Sequence, residues 1–482
     1  MKKNSIKKNY FFNLIYQILA VIVPFITTPY VSRVLGATSI GDYNYVNGIV
    51  SCFGLMAVIG TVTFGNREIA VVQNDREKRS ILFFEILFLR VFCTGIALVP
   101  YFFFIYHSNS LYRILYLVNL LLFLSWILDV SWFCQGMENF GVTAIRNSIV
   151  KILGVILIFT QIKSPIDLWK YTMIYAGVML FGNATMWFYI FKEVSWPGLC
   201  TINIFRNIRP VFQLFIPVVA VQIYTVMDKI MLGYLDNTTQ VGYYSQGQKI
   251  IELAITFVNA FISVLFPRIA FLFAENSIDK LEILLNKTLR YIFLLSIPMV
   301  FGCLAVIDQF VPLFFGKGYE PVGDIIKILS VMFIILNLGR LFGTILVAIQ
   351  RQNQYTVVTI IAAILNLFLN YVFILNFHMG AVGVAIASVI SETIATLIQL
   401  WDVHNFIKIN MLLKYASIYM IPTLVMLVAI LACRALVPFD RVFLLLAEVI
   451  IGVGAYFAVL LLMKDEIVYP IFSIFVQKLH RI

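Results

Sequence analysis

Apolar runs of about twenty residues or more recur along this chain between short polar interruptions, and about fourteen are long enough to cross a bilayer as helices. They begin near Tyr10, Tyr43, Ser80, Leu111, Thr143, Leu168, Pro210, Tyr243, Lys287, Val322, Tyr355, Gly380, Leu412 and Val442. The pattern predicts an all-α polytopic membrane protein.

Two neighbouring runs, in Phe215 to Ser263, break the apolar rule. Asp228 and Lys229 fall inside the first, Lys249 and Glu252 inside the second. On the second, Ser245, Lys249, Glu252, Thr256, Asn259 and Ser263 recur at helical spacing, so they share one face. An ionisable group at mid-bilayer costs about 2.5 to 3.5 kcal/mol even on lenient insertion scales, so this face is expected to line a wet cavity. Lys249 and Glu252 are also spaced for an ion pair on one helix, and a purely structural role in fixing helix register stands beside the cavity reading.

The chain looks duplicated. RVLGATSIGDYNYVNGIVS (Arg33 to Ser51) matches GYLDNTTQVGYYSQGQKIIE (Gly233 to Glu252) in its Thr-bearing turn, its Gly-aromatic step and the polar-striped helix that follows. CQGMENFGVTAIRNSIVKILGVILI (Cys134 to Ile158) aligns without gaps to IQRQNQYTVVTIIAAILNLFLNYVF (Ile349 to Phe373). Two such matches predict two six-helix bundles related by pseudo-two-fold symmetry, with two further helices at the C-terminal end. The expected divisions are a lobe over 1–195, a cytoplasmic linker over 196–209, a second lobe over 210–407, and two extra helices with a tail over 408–482. Pro24 and Pro29 are expected to interrupt the first span, Trp132 to Phe140 to form a short turn, and Arg434 and Glu448 to sit near an interface.

Composition agrees with a membrane solvent: 61% of residues are hydrophobic and 12% charged, too apolar for any soluble globule of this length. The net charge of +11 is not gathered into a patch, which argues against nucleic acid as a partner. Instead Lys2, Lys3, Lys7 and Lys8 precede the first span, Arg67, Arg76, Lys78 and Arg79 follow the second, and the excess continues in alternate connections to Lys478 and Arg481. The positive-inside rule then predicts both termini in the cytoplasm. The N-terminal apolar segment is too long for a secretory signal and reads as the first span. Six cysteines without C-x-x-C spacing, Cys200 among them, and four separated histidines, His480 among them, indicate neither disulfides nor a metal site. No phosphate-binding loop, H-E-x-x-H or G-x-S-x-G pattern occurs, so transport outranks catalysis and no cofactor is expected.

RVLGATSIGDY, WFCQGMENF, VMDKIMLGYL with VGYYSQGQKI, LFPRIA and NLFLNYVFILNFHMGAVGVAIASVISE together resemble the polysaccharide repeat-unit flippases (O-antigen, capsule or exopolysaccharide) of the multidrug/oligosaccharidyl-lipid/polysaccharide exporter superfamily. The resemblance covers roughly residues 1 to 410. It implies two bundles around a cavity that opens alternately to each side of a bacterial cytoplasmic (inner) membrane. The cargo would be an undecaprenyl-diphosphate-linked oligosaccharide, and the energy source a proton or sodium gradient. Membrane lipids and other polysaccharide-assembly proteins are the further partners it suggests.

The polar residues fit that cargo. A diphosphate needs cations, for which Lys229, Lys249 and Arg340 are the first candidates and Arg90 and Lys151 the next. A glycan needs amides, for which Asn44, Asn47, Gln222, Gln246 and Asn259 are the candidates. Asp228 and Glu252 are the expected ion-coupling carboxylates. The rival readings are a multidrug or organic-cation antiporter, which would want an acidic cavity; a membrane polymerase or glycosyltransferase, which would show a large outer loop; and a non-transporting assembly scaffold.

Overall fold

The computed structural model describes the backbone of residues 3–198, 201–436 and 440–479. Lys2, Cys200, His480 and Arg481 lie outside the described residues, as do the side chains of Lys3, Lys7, Lys8, Asn259, Ser263 and Lys478. Every extended regular element among the described residues is helical. The chain forms two compact units, Met1–Gly242 and Tyr243–Ile482.

The first unit contains α1 (Lys3–Val58), α2 (Thr61–Val72), α3 (Arg76–His107), α4 (Ser110–Val118), α5 (Leu120–Leu128), α6 (Ser131–Gly136), α7 (Phe140–Gln161), α8 (Leu168–Glu193), α9 (Ile208–Leu235) and the first turn of α10 (Thr238–Ala274). The second runs from Tyr243 in α10 through α11 (Ile278–Phe314), α12 (Glu320–Leu329), α13 (Met332–Ala348), α14 (Gln352–Tyr371), α15 (Gly380–Asp402), α16 (Ile409–Leu436), α17 (Arg441–Leu462) and α18 (Val468–Leu479).

All fourteen expected starting points fall on these helices. The correspondence is not one span to one helix. Ten helices among the described residues are long and apolar enough to cross a membrane, or up to eleven when the bent pair α12 and α13 is taken as one span. The first two expected spans are joined in α1, where only Gly36 leaves helical geometry, at φ 77°. That left-handed backbone suits glycine, which has no Cβ to clash. The break thus falls at Gly36, while Pro24 and Pro29 lie inside continuous helix.

The two units meet along the chain at Gly242, beyond the polar connection 196–209. Small residues explain why α9 packs with α1. A Cβ on Gly233 would stand 2.3 Å from the Tyr45 ring, and one on Gly48 3.3 Å from Ile230. Helices approach this closely only where side chains are missing. The 196–209 connection is itself pinned to α3, because the buried Glu85 carboxylate accepts from the Asn203 backbone N–H at 3.2 Å and from Asn207 Nδ2 at 2.7 Å.

Of Trp132 to Phe140, expected as a turn, Met137 to Asn139 turn between α6 and α7, while Trp132 to Gly136 belong to α6. Trp132, Phe133 and Cys134 on α6 are buried with Phe83 and Ile86 of α3 and Met186 of α8. Gly65 makes room for the indole, since a Cβ there would stand 2.4 Å from the Trp132 ring. In the second unit, Leu285, Leu289 and Ile292 of α11 pack on Val258, Leu341 and Phe342, while Phe293 and Ile297 on another face of α11 hold α16 and α17 through Tyr419, Met426 and Tyr456. Outward-facing residues such as Phe103, Phe188 and Ile450 are 69%, 73% and 70% exposed, as helices solvated by lipid tails require.

Candidate functional site

α10 carries its polar stripe on one continuous helix, and the stripe changes character along its length. Ser245 and Gln246, near the start, are buried. Lys249 is half-buried, and Glu252 and Thr256, one and two turns on, are exposed. The upper part is held by packing: the Tyr244 hydroxyl bonds Ser388 Oγ of α15 at 3.1 Å, and a Cβ on Gly247 would stand 2.8 Å from Ile325 of α12. Gln246 therefore sits in a packed interface, and the lower stripe meets open space.

That space is closest to a defined site at Arg340. The guanidinium projects from α13 into a cavity of about 410 Å³, lined also by Phe266 of α10, Gly343, Thr344 and Val347 of α13, and Tyr355 of α14. Arg340 is exposed and has no ion pair or hydrogen bond among the described residues; the carboxylates acting on it through space are Glu392 and Glu252. Gly343 lets Tyr355 close the wall, since a Cβ there would stand 2.7 Å from that ring. A cation so placed, with a hydroxyl and a phenol beside it, can bind an anion by charge-assisted hydrogen bonds.

The first unit holds the other candidates. Asp228 on α9 is 3% exposed. Its neighbour Lys229 is half-buried and makes no hydrogen bond or ion pair among the described residues. Gln222, on the same helix, and Lys151, on α7, are half-buried. On α1, Asn44 turns its amide back to Ile40 O at 2.8 Å, while Asn47 is half-buried with no such bond.

Arg90 departs from the expected role. It is 1% exposed, donates from Nε to Thr61 Oγ1 at 3.1 Å and from Nη1 to the carbonyls of Trp126, at 3.1 Å, and Asp129. Its Nη1 also lies 3.9 Å from the Asp129 carboxylate, which Arg146 approaches at the same distance. A guanidinium that donates from Nε and Nη1 to protein oxygens in a sealed interior ties α2, α3 and α5 together; its Nη2 is buried without a partner, so burial, not full pairing, is what keeps it from cargo. Glu448 is fully buried and takes two bonds from Arg434, Nε to Oε1 at 2.8 Å and Nη2 to Oε2 at 3.1 Å. Pairing across α16 and α17 is invisible in either helix taken alone.

The fold has known counterparts. A structure of the lipid II flippase MurJ in an inward closed conformation shares it, with a TM-score of 0.73 at 18% identity over 94% of this chain and 100% of that one. An inward-facing multidrug resistance MATE family transporter of the MOP superfamily follows at 0.61 and 14% identity, over 80% of this chain and 98% of that one. Among sequences, the "Putative O-antigen transporter" of Escherichia coli (strain K12) is 21% identical over 414 residues, 84% of this chain and 98% of that protein. The "Probable low-salt glycan biosynthesis flippase" of Haloferax volcanii is 24% identical over 262 residues, and there the chain spans only 55% of the relative's length. The MatE family model matches residues 214–372. The model of the polysaccharide biosynthesis proteins matches residues 6–273, more than half of the sequence, and this multi-pass membrane chain belongs to that family.

Proposed function

We propose that the protein is a flippase that carries lipid-diphosphate-linked oligosaccharide from the cytoplasmic to the outer leaflet of a bacterial cytoplasmic membrane. The observation that carries the reading is Arg340, a cation without an ion-pair partner among the described residues, opening into a 410 Å³ cavity within a membrane helix. Desolvating such a charge is costly unless an anion or water meets it, and a diphosphate is the anion that a lipid carrier presents at that depth. In the topology with cytoplasmic termini, Arg340 lies in the cytoplasmic half of its span, where the cargo would arrive.

Lys229, Lys249 and Arg340 are the proposed diphosphate ligands, with Lys151 secondary. Asn44, Asn47, Gln222, Gln246 and Asn259 are the proposed glycan contacts. Asp228 and Glu252 would couple the cycle to an inward proton or sodium gradient, since each carboxylate lies on a helix that also carries a cation. The duplicated six-helix lobes, 1–195 and 210–407, would provide the alternating access. The names of the O-antigen transporter and glycan flippase relatives support the substrate class.

An organic-cation antiporter would share the architecture, but Arg340 and Lys229 would repel its cargo. The test is reconstitution into vesicles with a defined undecaprenyl-diphosphate glycan, following leaflet exchange with and without an imposed ion gradient. Exchange no faster than in protein-free vesicles under every gradient would refute the proposal.

A further inference from the structure

Three tyrosines meet inside the first unit. The ring of Tyr43, on α1, lies 4.9 Å from that of Tyr171 and 6.1 Å from that of Tyr175, both on α8, with interplanar angles of 72° and 81°. Tyr171 and Tyr175 are one turn apart, so both point the same way. Met173, Ile174, Gly177 and Phe181 occupy another face of α8, where they line an apolar groove against α7. That groove reaches Val178, one turn from Tyr175, but none of the three tyrosines lines it.

What marks them is three such hydroxyls in one place. Some enclosed tyrosines bond to protein, Tyr101 to Tyr116 O at 2.7 Å, Tyr456 to Leu294 O at 2.6 Å, Tyr30 to Ile162 O at 2.6 Å and Tyr419 to Asp465 at 3.0 Å, while others, the buried Tyr116 among them, have no such bond among the described residues. Tyr43, Tyr171 and Tyr175 make no side-chain hydrogen bond among the described residues, and none of their oxygens is among the sealed polar atoms that lack a partner. Tyr175 is 40% exposed. Asn47, one turn along α1 from Tyr43, likewise has a half-buried amide without a hydrogen bond. An unmet hydroxyl inside a membrane protein costs about 1 to 3 kcal/mol, so four such groups in one place call for water or a polar ligand.

The chemistry on offer is specific. Phenol faces carry negative charge density that attracts the weakly positive C–H face of a pyranose ring, while the hydroxyls and the amide can both donate and accept. We propose that Tyr43, Tyr171, Tyr175 and Asn47 form a sugar subsite that takes a neutral pyranose of the cargo glycan and sets its selectivity. The proposal rests on the flippase reading above and adds three tyrosines beside Asn47 to its glycan contacts, separate from the cations that meet diphosphate.

The test measures binding of two lipids to the full-length protein in detergent: undecaprenyl diphosphate bearing an oligosaccharide, and undecaprenyl diphosphate bearing none. Tyr175→Ala is expected to weaken the glycosylated lipid by about tenfold and the bare one by less than about twofold, and Tyr175→Phe, which keeps the ring, to weaken the glycosylated lipid by about threefold. Wild-type protein binding neither lipid would sink the flippase reading and this inference with it. Wild-type protein binding both, with Tyr175→Ala affecting them equally or not at all, would overturn the sugar subsite alone and leave the tyrosines as an interfacial aromatic belt. If Tyr175→Ala lowers the melting temperature, Tyr175→Phe and Tyr43→Phe, which preserve packing, decide between these outcomes by the same comparison of the two lipids.

Discussion

The side-chain oxygens of Thr38 and Thr239 lie 2.9 Å apart, 201 residues from one another in sequence. The contacts around them are reciprocal. A Cβ on Gly41 would stand 1.6 Å from Thr238 O, and one on Gly242 2.1 Å from Ala37 O, with Gly41 and Gly242, and Ala37 and Thr238, related by the same offset. Positions 201 residues apart, the offset of the expected repeat, thus meet reciprocally within the first unit.

Backbone, more than the hydroxyl pair, carries that contact. Gly41→Ala or Gly242→Ala forces main chain apart and is expected to cost at least about 2 kcal/mol, whereas Thr38→Ala loses one exposed hydrogen bond worth about 0.5 to 1.5 kcal/mol. Melting temperatures in detergent and abundance in membranes check the ranking. Equal, small losses in all three would contradict it.

Arg340→Ala is expected to slow leaflet exchange of the glycolipid by about tenfold or more, with Arg340→Lys retaining part of the rate because it keeps the charge and loses the planar fork. Abundance should stay near normal, since no ion pair is broken. Lys249→Ala is expected to abolish polysaccharide export with insertion and abundance preserved; normal export in that variant would mark the lysine as structural.

Arg90→Ala should behave in the opposite way. Removing a 1%-exposed guanidinium takes one donor from each of the carbonyls of Trp126 and Asp129, one from Thr61 Oγ1 and a cation from beside the Asp129 carboxylate, and leaves a buried void, a loss of about 3 kcal/mol or more. The expected readout is reduced membrane abundance, with the cargo affinity of any surviving protein unchanged.

Asp465, in the connection after α17, supplies a pH dependence. Burial alone would raise its carboxyl, but the backbone N–H groups of Ile467 and Val468, with Arg290 and Tyr419, outweigh that and hold it below the ordinary 3.8. A carboxyl depressed in the folded state adds stability that is fully present above its unfolded pKa and is lost as pH falls through the folded one. Melting temperature should therefore drop on acidification from about pH 4 downward, and Asp465→Asn should flatten that slope. An unchanged slope in the variant would place the acid sensitivity elsewhere.

Legibility varied with the range of the interaction. The apolar periodicity of α3, α7, α14 and α16 marks them as spans from composition alone, and the α10 stripe declares itself by its spacing. Trp132 to Phe140 resembles a turn because of Gln135, Gly136, Glu138 and Asn139, while the pocket that takes Trp132 is made by Gly65 on another helix. Along the linear chain Arg90 follows Arg340 as a candidate only by degree, since both are guanidiniums in apolar runs. Their difference comes from what faces them: helix-end carbonyls in one case, a cavity in the other.

Local sequence by itself determined that this is an all-helical membrane chain and that α10 cannot turn its charged stripe to lipid, because transfer free energies act residue by residue. Tertiary structure alone decided which charges are consumed inside the protein, where α1 bends, and that Tyr43 meets Tyr171 and Tyr175. Those outcomes depend largely on partners far away along the chain, and no periodicity within one helix carries information about the face of another.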